Sequence, residues 1–437
     1  MPCNPKPDTR YPKSDDGANV KLNKVNVIGT GHVGLPLALL LAQHGVKVVG
    51  VDINRELVKA INDRSLNMGE TELQKLFDDP KVAKNLIASE KPAEGDAFVI
   101  SVPTPLSDPR KICDLAPVLN ALHAIAPVLR KGNLINIEST IPPLTCRDVV
   151  APWLRKQGFE PGKDIYLTHC PERILPGDIF KEIVNNDRII GGYDPESAKR
   201  ACEIYRPFLK GEMFLTDITT AELCKLMENT YRDVNIALAN ELAITAQKLG
   251  VDIYQAINLA NRHPRVKFLY PGIGVGGHCL AVDPWFISEV DPEDSTVIMA
   301  ARRVNDRMPE VIATRIRRLV AGHPNPKLLM LGATYKPDTY DPRNSPAMDI
   351  IELLRVEGYA LDVYDPNVKQ FSRPALAERL ARKEATHVFT LVPHKSILAE
   401  LGKLGAKNGK VSGVPLFSVD DLVRGKNVAA PSRAHKG

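Results

Sequence analysis

No segment of this 437-residue chain is apolar for long enough to span a bilayer. The longest apolar block, residues 35–42, falls far short of the roughly 18 residues a spanning helix needs, and Pro36 interrupts it. The N-terminal stretch is polar and rich in Pro and Lys, unlike a signal peptide. The seven cysteines (Cys3, Cys113, Cys146, Cys170, Cys202, Cys224 and Cys279) are odd in number and widely spread, with no CxxC pair. That argues against a disulfide scaffold and a zinc site, and no metal is expected. A dense basic patch is also missing. The formal net charge is +5, but Lys and Arg are scattered, clustering loosely only near the N-terminus and over residues 424–436. Neither nucleic acid nor a membrane is an expected partner, and no short-period repeat is present. These absences describe a reducing, cytoplasmic globular protein, whose mild positive excess suits an anionic small substrate.

What the chain does have is alternation. Short β-branched runs alternate with helical patterns from Lys24 to about Arg206, with strands expected at residues 25–28, 46–51, 97–101, 134–138, 165–168 and 188–190. Such alternation builds βαβ units and a parallel sheet. Beyond Thr219 the pattern changes. Ala221, Leu223, Leu226, Tyr231, Val234, Ala237, Leu238, Leu242 and Ile244 recur at helical spacing without Gly or Pro, predicting one helix of about eight turns. Further helices are expected over residues 253–261 and 295–321. A second α/β segment opens near Lys327, with strands at 328–331, 360–364 and 387–391. The expected fold class is α/β: two Rossmann-like parallel-sheet domains joined by a central helical domain with one long helix. The divisions are a disordered tail (1–22), a first Rossmann domain (23–206), the helical domain (207–321) and a second Rossmann-like domain (322–437) whose last dozen residues are also expected to be disordered.

In the first Rossmann unit, Val25-Asn26-Val27-Ile28-Gly29-Thr30-Gly31-His32-Val33-Gly34 is an apolar strand running into Gly-x-Gly-x-x-Gly. The first glycine permits a tight turn, the second lets backbone approach a pyrophosphate, and the third lets helix pack closely on strand. Asp52 ends the next strand about 20 residues on. It would accept hydrogen bonds from the adenine-ribose hydroxyls and repel a 2′-phosphate, so NAD is expected, held by Gly29, Gly31, His32, Val33, Gly34 and Asp52. Val102-Pro103-Thr104-Pro105 and Glu138-Ser139-Thr140 each follow a strand end, where ligands of a doubly wound sheet lie. Val102, Pro103, Thr104, Ser139 and Thr140 are therefore cofactor-facing candidates, although Pro and Ser equally supply plain turns.

A second glycine-rich run, Pro271-Gly272-Ile273-Gly274-Val275-Gly276-Gly277-His278-Cys279, ends on a lone thiol, with Asp283 four residues further on. Glycine serves where backbone turns sharply or presses on a ligand, which makes Cys279 a candidate nucleophile. Free cysteines are equally at home in cores, and the loop alone leaves both readings open. Lys225 and Asn229 share one face of the long helix, where an ammonium and an amide can hold a developing oxyanion; a solvated face is the alternative. Asp283 is a candidate base or support for one, or else a helix N-terminal charge. Glu172, after a strand end, is a candidate for positioning water, or an ordinary surface carboxylate. Arg265, Lys267, Lys336 and Arg343 offer charges suited to phosphate.

In this order, Gly29-x-Gly31-x-x-Gly34, Val102-Pro103-Thr104-Pro105, Glu138-Ser139-Thr140, Pro171-Glu172-Arg173, Ala221-Glu222-x-x-Lys225-Leu226-x-x-Asn229, Gly276-Gly277-His278-Cys279 and Asp341-x-Arg343-x-Ser345-Pro346-Ala347 resemble the nucleotide-sugar 6-dehydrogenase family, the group containing UDP-glucose dehydrogenase. The resemblance runs over about residues 25–392. His278 and Val282 depart from the glucose branch, which usually has Ser and Lys there, and disfavour glucose. The segments Asn186-Asp187-Arg188-Ile189-Ile190-Gly191-Gly192, Tyr231-Arg232-Asp233-Val234-Asn235 and Ala260-Asn261-Arg262-His263-Pro264-Arg265 are similar to the branch acting on UDP-N-acetylhexosamines.

The resemblance implies NAD-dependent four-electron oxidation of a UDP-sugar C6 alcohol to the uronate, for a surface polysaccharide or glycan precursor. UDP-N-acetyl-D-mannosamine is the expected substrate, with UDP-N-acetylglucosamine or UDP-glucose as the alternative. Two NAD would be consumed per substrate, with Cys279 carrying first a thiohemiacetal and then a thioester. Lys225 and Asn229 would stabilise oxyanions, while Asp283, Thr140 and Glu172 position water and assist proton transfer. Glu172, Arg173, Lys225, Asn229, Arg232, Arg265, Gly276 and Lys336 would contact the UDP-sugar, and Arg343 the cofactor. The long helix would form the core of a homodimer or higher homo-oligomer. Two rival classes are a two-electron hydroxyacid dehydrogenase, which needs neither the thiol nor a second α/β domain, and a non-catalytic NAD-binding regulator whose thiol loop is structural.

Overall fold

The β-branched runs build the nine-stranded sheet of a first unit, Met1–Glu228 with Trp285–Asp291. The computed structural model describes residues 10–11, 22–66, 71–107, 109–173 and 179–425. In chain order the strands are β1 (Arg10–Tyr11), β2 (Lys24–Ile28), β3 (Lys47–Val51), β4 (Leu86–Ser89) and β5 (Ala97–Ile100). After a ribbon of β6 (Leu106–Ser107) and β7 (Ile112–Cys113) come β8 (Leu134–Ile137), β9 (Tyr166–His169), β10 (Arg188–Gly192) and β11 (Met213–Asp217). The spatial order is β1-β11-β10-β9-β8-β5-β2-β3-β4. From β4 to β9 all neighbours are parallel, and the order β4-β3-β2-β5-β8-β9 is that of a doubly wound dinucleotide fold.

The central strands are largely apolar because both faces are covered: all of Ala97–Ile100 and Leu134–Ile137 is buried. Helix Gly34–Gln43 is apolar on every side for the same reason, with Gly34 to Ala42 all buried. Each of its leucines contributes about 1.5–3 kcal/mol through burial.

β10 reverses direction. It pairs antiparallel with β9, Gly191 opposite His169 and Gly192 opposite Thr168. Continuing that register puts Arg188, the first residue of β10, opposite Glu172. The reversal thus delivers a strand's first side chain to the edge where the parallel strands end.

The second unit, Asn229–Pro284 with Pro292–Gly437, carries a five-stranded sheet. Its strands are β12 (Lys327–Leu331), β13 (Ala360–Tyr364), β14 (His387–Thr390), β15 (Lys410–Val411) and β16 (Val414–Phe417), ordered β13-β12-β14-β16-β15. All pairs but β15–β16 are parallel, giving a second Rossmann-like layout. The long helix is present over Ile218–Leu249, followed by Ile253–Ala260 and Thr296–Val320. A buried polar chain ties the long helix to Thr296–Val320 and to the loop at Gly272. Asp233 Oδ1 pairs with Arg302 Nη1 at 2.6 Å and accepts from Asn305 Nδ2 at 2.8 Å. Asn240 donates to Asn305 Oδ1 at 2.9 Å, and its own oxygen accepts from Gly272 N at 2.8 Å.

The molecule is therefore α/β, with two Rossmann-like sheets and a helical region containing one long helix. One feature differs from expectation. Within the stretch expected to be a tail, Arg10–Tyr11 pairs with Phe214 and Met213, and Leu22 is buried. The remainder of residues 1–21, and residues 426–437, lie outside the described residues. No helix among the described residues is long and apolar enough to cross a membrane.

Candidate active site

The dinucleotide turn is built by its glycines. Gly29 has φ +90°, and a side chain there would collide with the Ser101 carbonyl; one on Gly34 would collide with the Gly29 carbonyl. Gly31 is different. A Cβ there would meet nothing within 4 Å, so the turn offers open backbone to an approaching phosphate. Asp52 Oδ2 accepts from Thr30 N at 2.9 Å and Thr30 Oγ1 at 3.1 Å, which ties the turn to the end of β3. Its Oδ1 accepts from Asn54 N at 3.0 Å, and Asn54 in turn caps helix Arg55–Asn62. His32 is exposed and Val33 half-buried beside the turn. These residues fit a dinucleotide.

Across the switch point, Ser139 Oγ accepts from Val102 N at 2.9 Å and donates to Val102 O at 2.8 Å. Thr104 Oγ1 donates to Thr140 O at 2.6 Å. The two segments after β5 and β8, including Pro103, are thereby locked to one another. Glu222, one turn before Lys225 on the long helix, fixes the next stretch by accepting from Leu144 N at 2.7 Å and Cys146 N at 2.8 Å.

Lys225 is 8 % exposed. Burial, helped by the nearby Lys225 ammonium, drives the His169 pKa down to about 3, so that imidazole is neutral. Glu172 pairs with Arg188, Nη1 to Oε2 at 2.7 Å. Arg173 pairs instead with Glu228 at 2.7 Å.

In the second unit, Cys279 is exposed, whereas Cys113, Cys146, Cys170 and Cys202 are buried and Cys224 half-buried. The loop before it is pinned at both ends, at Gly272 by Asn240 and at Gly277 by the carbonyl of Asn344, 3.0 Å away. Gly277 has φ +90°, and a Cβ there would press on the Tyr335 ring; one on Gly276 would collide with the Asn344 carbonyl. The amides of Val282 and Asp283 donate to Cys279 O at 2.9 and 2.8 Å, and helix Asp283–Val290 begins there. Asp283 is 2 % exposed and accepts from Asn229 Nδ2 at 2.6 Å. His278 Nε2 lies 2.9 Å from Asp341 Oδ2, and Arg343 grips the same carboxylate through Nε and Nη2. Those donors hold the Asp341 carboxyl well below the usual range, Arg343 being the larger cause. Lys336 is half-buried, and Arg232 and Arg265 are exposed.

The chain thus carries an exposed Cys279, a buried Asp283 held by Asn229, and a dinucleotide turn. Residues 23–209, 219–307 and 329–408 match, in turn, the NAD binding, central and UDP binding domains of the UDP-glucose/GDP-mannose dehydrogenase family. The chain belongs to that family. It is 45% identical over 386 residues to a UDP-N-acetyl-D-mannosamine dehydrogenase of Methanococcus aeolicus, covering 87% of each chain. Among solved structures it is similar to the UDP-N-acetyl-mannosamine dehydrogenase Cap5O of Staphylococcus aureus, at 40% identity and TM-score 0.83, covering 92% of this chain and 100% of that one. The UDP-D-ManNAc dehydrogenase of Pyrococcus horikoshii is 38% identical with TM-score 0.84, covering 92% and 99%. As a member of the family, the chain is an NAD-dependent oxidoreductase of nucleotide sugars that takes a UDP-sugar. Arg188 and Glu138 lie beside Glu172, and the sequence alone assigned them no role. Their charges are visible in the sequence, but the strand reversal that brings them together is not.

Proposed function

We propose that this enzyme oxidises UDP-N-acetyl-D-mannosamine at C6 to the uronate, releasing two NADH per sugar. The sugar is supported by the relatives named for it, at up to 46% identity over most of the chain. The chemistry rests on one observation: an exposed Cys279 four residues before Asp283, the buried first residue of the next helix, which Asn229 holds.

Bound NAD, held by the Gly29–Gly34 turn, Asp52, the segments at Val102 and Ser139, and Arg343, supplies the hydride acceptor for both oxidations. Cys279 adds through sulfur to the C6 aldehyde, giving a thiohemiacetal from which the second hydride leaves. Lys225 and Asn229 stabilise the alkoxide. Water, positioned by Thr140 and Asp283, then attacks the thioester and yields its proton to Glu172. The C–S bond breaks and the thiolate departs. Arg173, Arg232, Arg265, Gly276 and Lys336 contact the nucleotide sugar, and residues 23–206, 207–321 and 322–437 act as cofactor, helical and UDP-sugar domains.

A panel of UDP-sugars with NAD tests this reading. The expected result is two NADH per UDP-N-acetyl-D-mannosamine and a uronate product; one NADH per sugar would remove the thioester route. Faster oxidation of UDP-N-acetylglucosamine would reassign the epimer. Cys279→Ser is expected to abolish net acid formation.

A further inference from the structure

The first unit holds a buried cluster of three charges, of which the proposed chemistry uses one. The side chains of Glu138, Arg188 and Glu172 are 0%, 3% and 9% exposed. Arg188 Nη1 lies 2.7 Å from Glu172 Oε2 and 3.6 Å from Glu138 Oε1. One guanidinium thus faces two carboxyl groups where water screens neither. A buried charge is costly unless paired, so the favoured state has one carboxylate ionised and the other protonated.

The distances say which is which. Glu172 has the close ion pair and its Oε1 also accepts from Arg173 N at 2.6 Å, whereas Arg188 Nη1 and Nη2 make no hydrogen bond among the described residues, so Arg188 acts on Glu172 through charge. Glu138 Oε1 receives a long hydrogen bond from Tyr205 Oη, 3.4 Å, and its Oε2 has no hydrogen-bond partner among the described residues. A buried carboxylate demands donors, whereas a neutral carboxyl tolerates that poverty.

We propose that Arg188 is a positioning residue that holds Glu172 by its charge, and that it can do so because Glu138 carries a proton in the resting enzyme. This rests on the reading of Glu172 as the base toward water. The antiparallel β10 is the device, since its register sets Arg188 against the segment after β9. The groups facing Glu138 are Glu172 and Cys170 beyond β9, Arg188 from β10, and Tyr205 from helix Pro195–Tyr205. Burial pushes the Cys170 thiol up to about 12 and the Tyr205 phenol well above its ordinary value, while Arg188 stays charged. Burial first, then the Glu172 charge, pushes Glu138 to about 8, so it is the member that titrates at mildly alkaline pH. Once ionised, it competes with Glu172 for the same Nη1.

The test uses the UDP-sugar that the wild type oxidises, with NADH and acid followed from about pH 6 to 10, and folding checked by thermal melting. Glu172→Gln isolates the underlying reading; wild-type acid formation there would leave Arg188 with nothing to position. With that reading standing, Arg188→Met is expected to lower kcat about 100-fold, with both KM values within about threefold and partial recovery in Arg188→Lys. A folded Arg188→Met enzyme with near-wild-type kcat overturns the proposal. Glu138→Gln has no proton to lose and is expected to remove the alkaline limb of kcat near pH 8. An unchanged limb overturns the proposal whether or not the Arg188 variants fold.

Discussion

The amide of Asn229 donates to Asp283 Oδ2 at 2.6 Å from a position 7 % exposed. Deleting it removes the oxyanion donor proposed above and unsettles a buried carboxylate at once. Asn229→Ala is expected to lower kcat about 100-fold while the KM for NAD stays within a few-fold, read by steady-state kinetics. Asn229→Asp should do worse, because it sets a second carboxylate against Asp283 in a place that water cannot screen. A KM effect alone would mean that Asn229 only helps binding. The two candidate donors, Lys225 and Asn229, were legible in sequence because four-residue spacing on a helix fixes a shared face whatever surrounds it. Arg188 was not, because its partner depends on a strand reversal that no local pattern encodes.

At the scale of elements, Glu222 accepts two backbone amides at the start of the segment that becomes helix Ala151–Lys156, joining that segment to the long helix. Burial raises its pKa from 4.5 to about 6. The folded chain therefore holds a proton that the unfolded chain has already lost between those values, and stability falls as pH rises through the window. At about 1.4 kcal/mol per unit the loss is about 2 kcal/mol. Glu222→Gln cannot ionise, so the wild type should lose about that much stability relative to the variant from about pH 3.5 to about pH 7, roughly a unit beyond each value, measured by denaturant unfolding at both ends. A constant difference would sink the assignment. The same scale shows what the sequence left hidden. β2, β3, β5, β8 and β12 announce themselves as apolar runs because both their faces are covered. β4 does not, being half-exposed at the sheet's edge, and β16 contains Pro415, which reads as a breaker but sits in a half-buried strand near the other sheet's edge.

For the whole molecule, the informative surface is on the long helix. Leu223, Met227, Tyr231, Leu238 and Leu242 are between 37% and 57% exposed, and their spacings keep them within one stripe of the helix. An apolar stripe of this kind is covered in a homodimer, the assembly we propose. Met227→Glu with Leu238→Glu is expected to turn a dimer into a monomer by light scattering; an unchanged mass would exclude that face. The contrast among the thiols reaches further. With Cys113, Cys146, Cys170 and Cys202 buried and Cys279 exposed, a fast alkylating reagent becomes a counter of competent subunits once Cys3 and the half-buried Cys224 are replaced. Stoichiometric label per chain, set beside residual turnover, would report whether the subunits of an assembly work one at a time or together, a question about cooperation that a single accessible sulfur makes measurable.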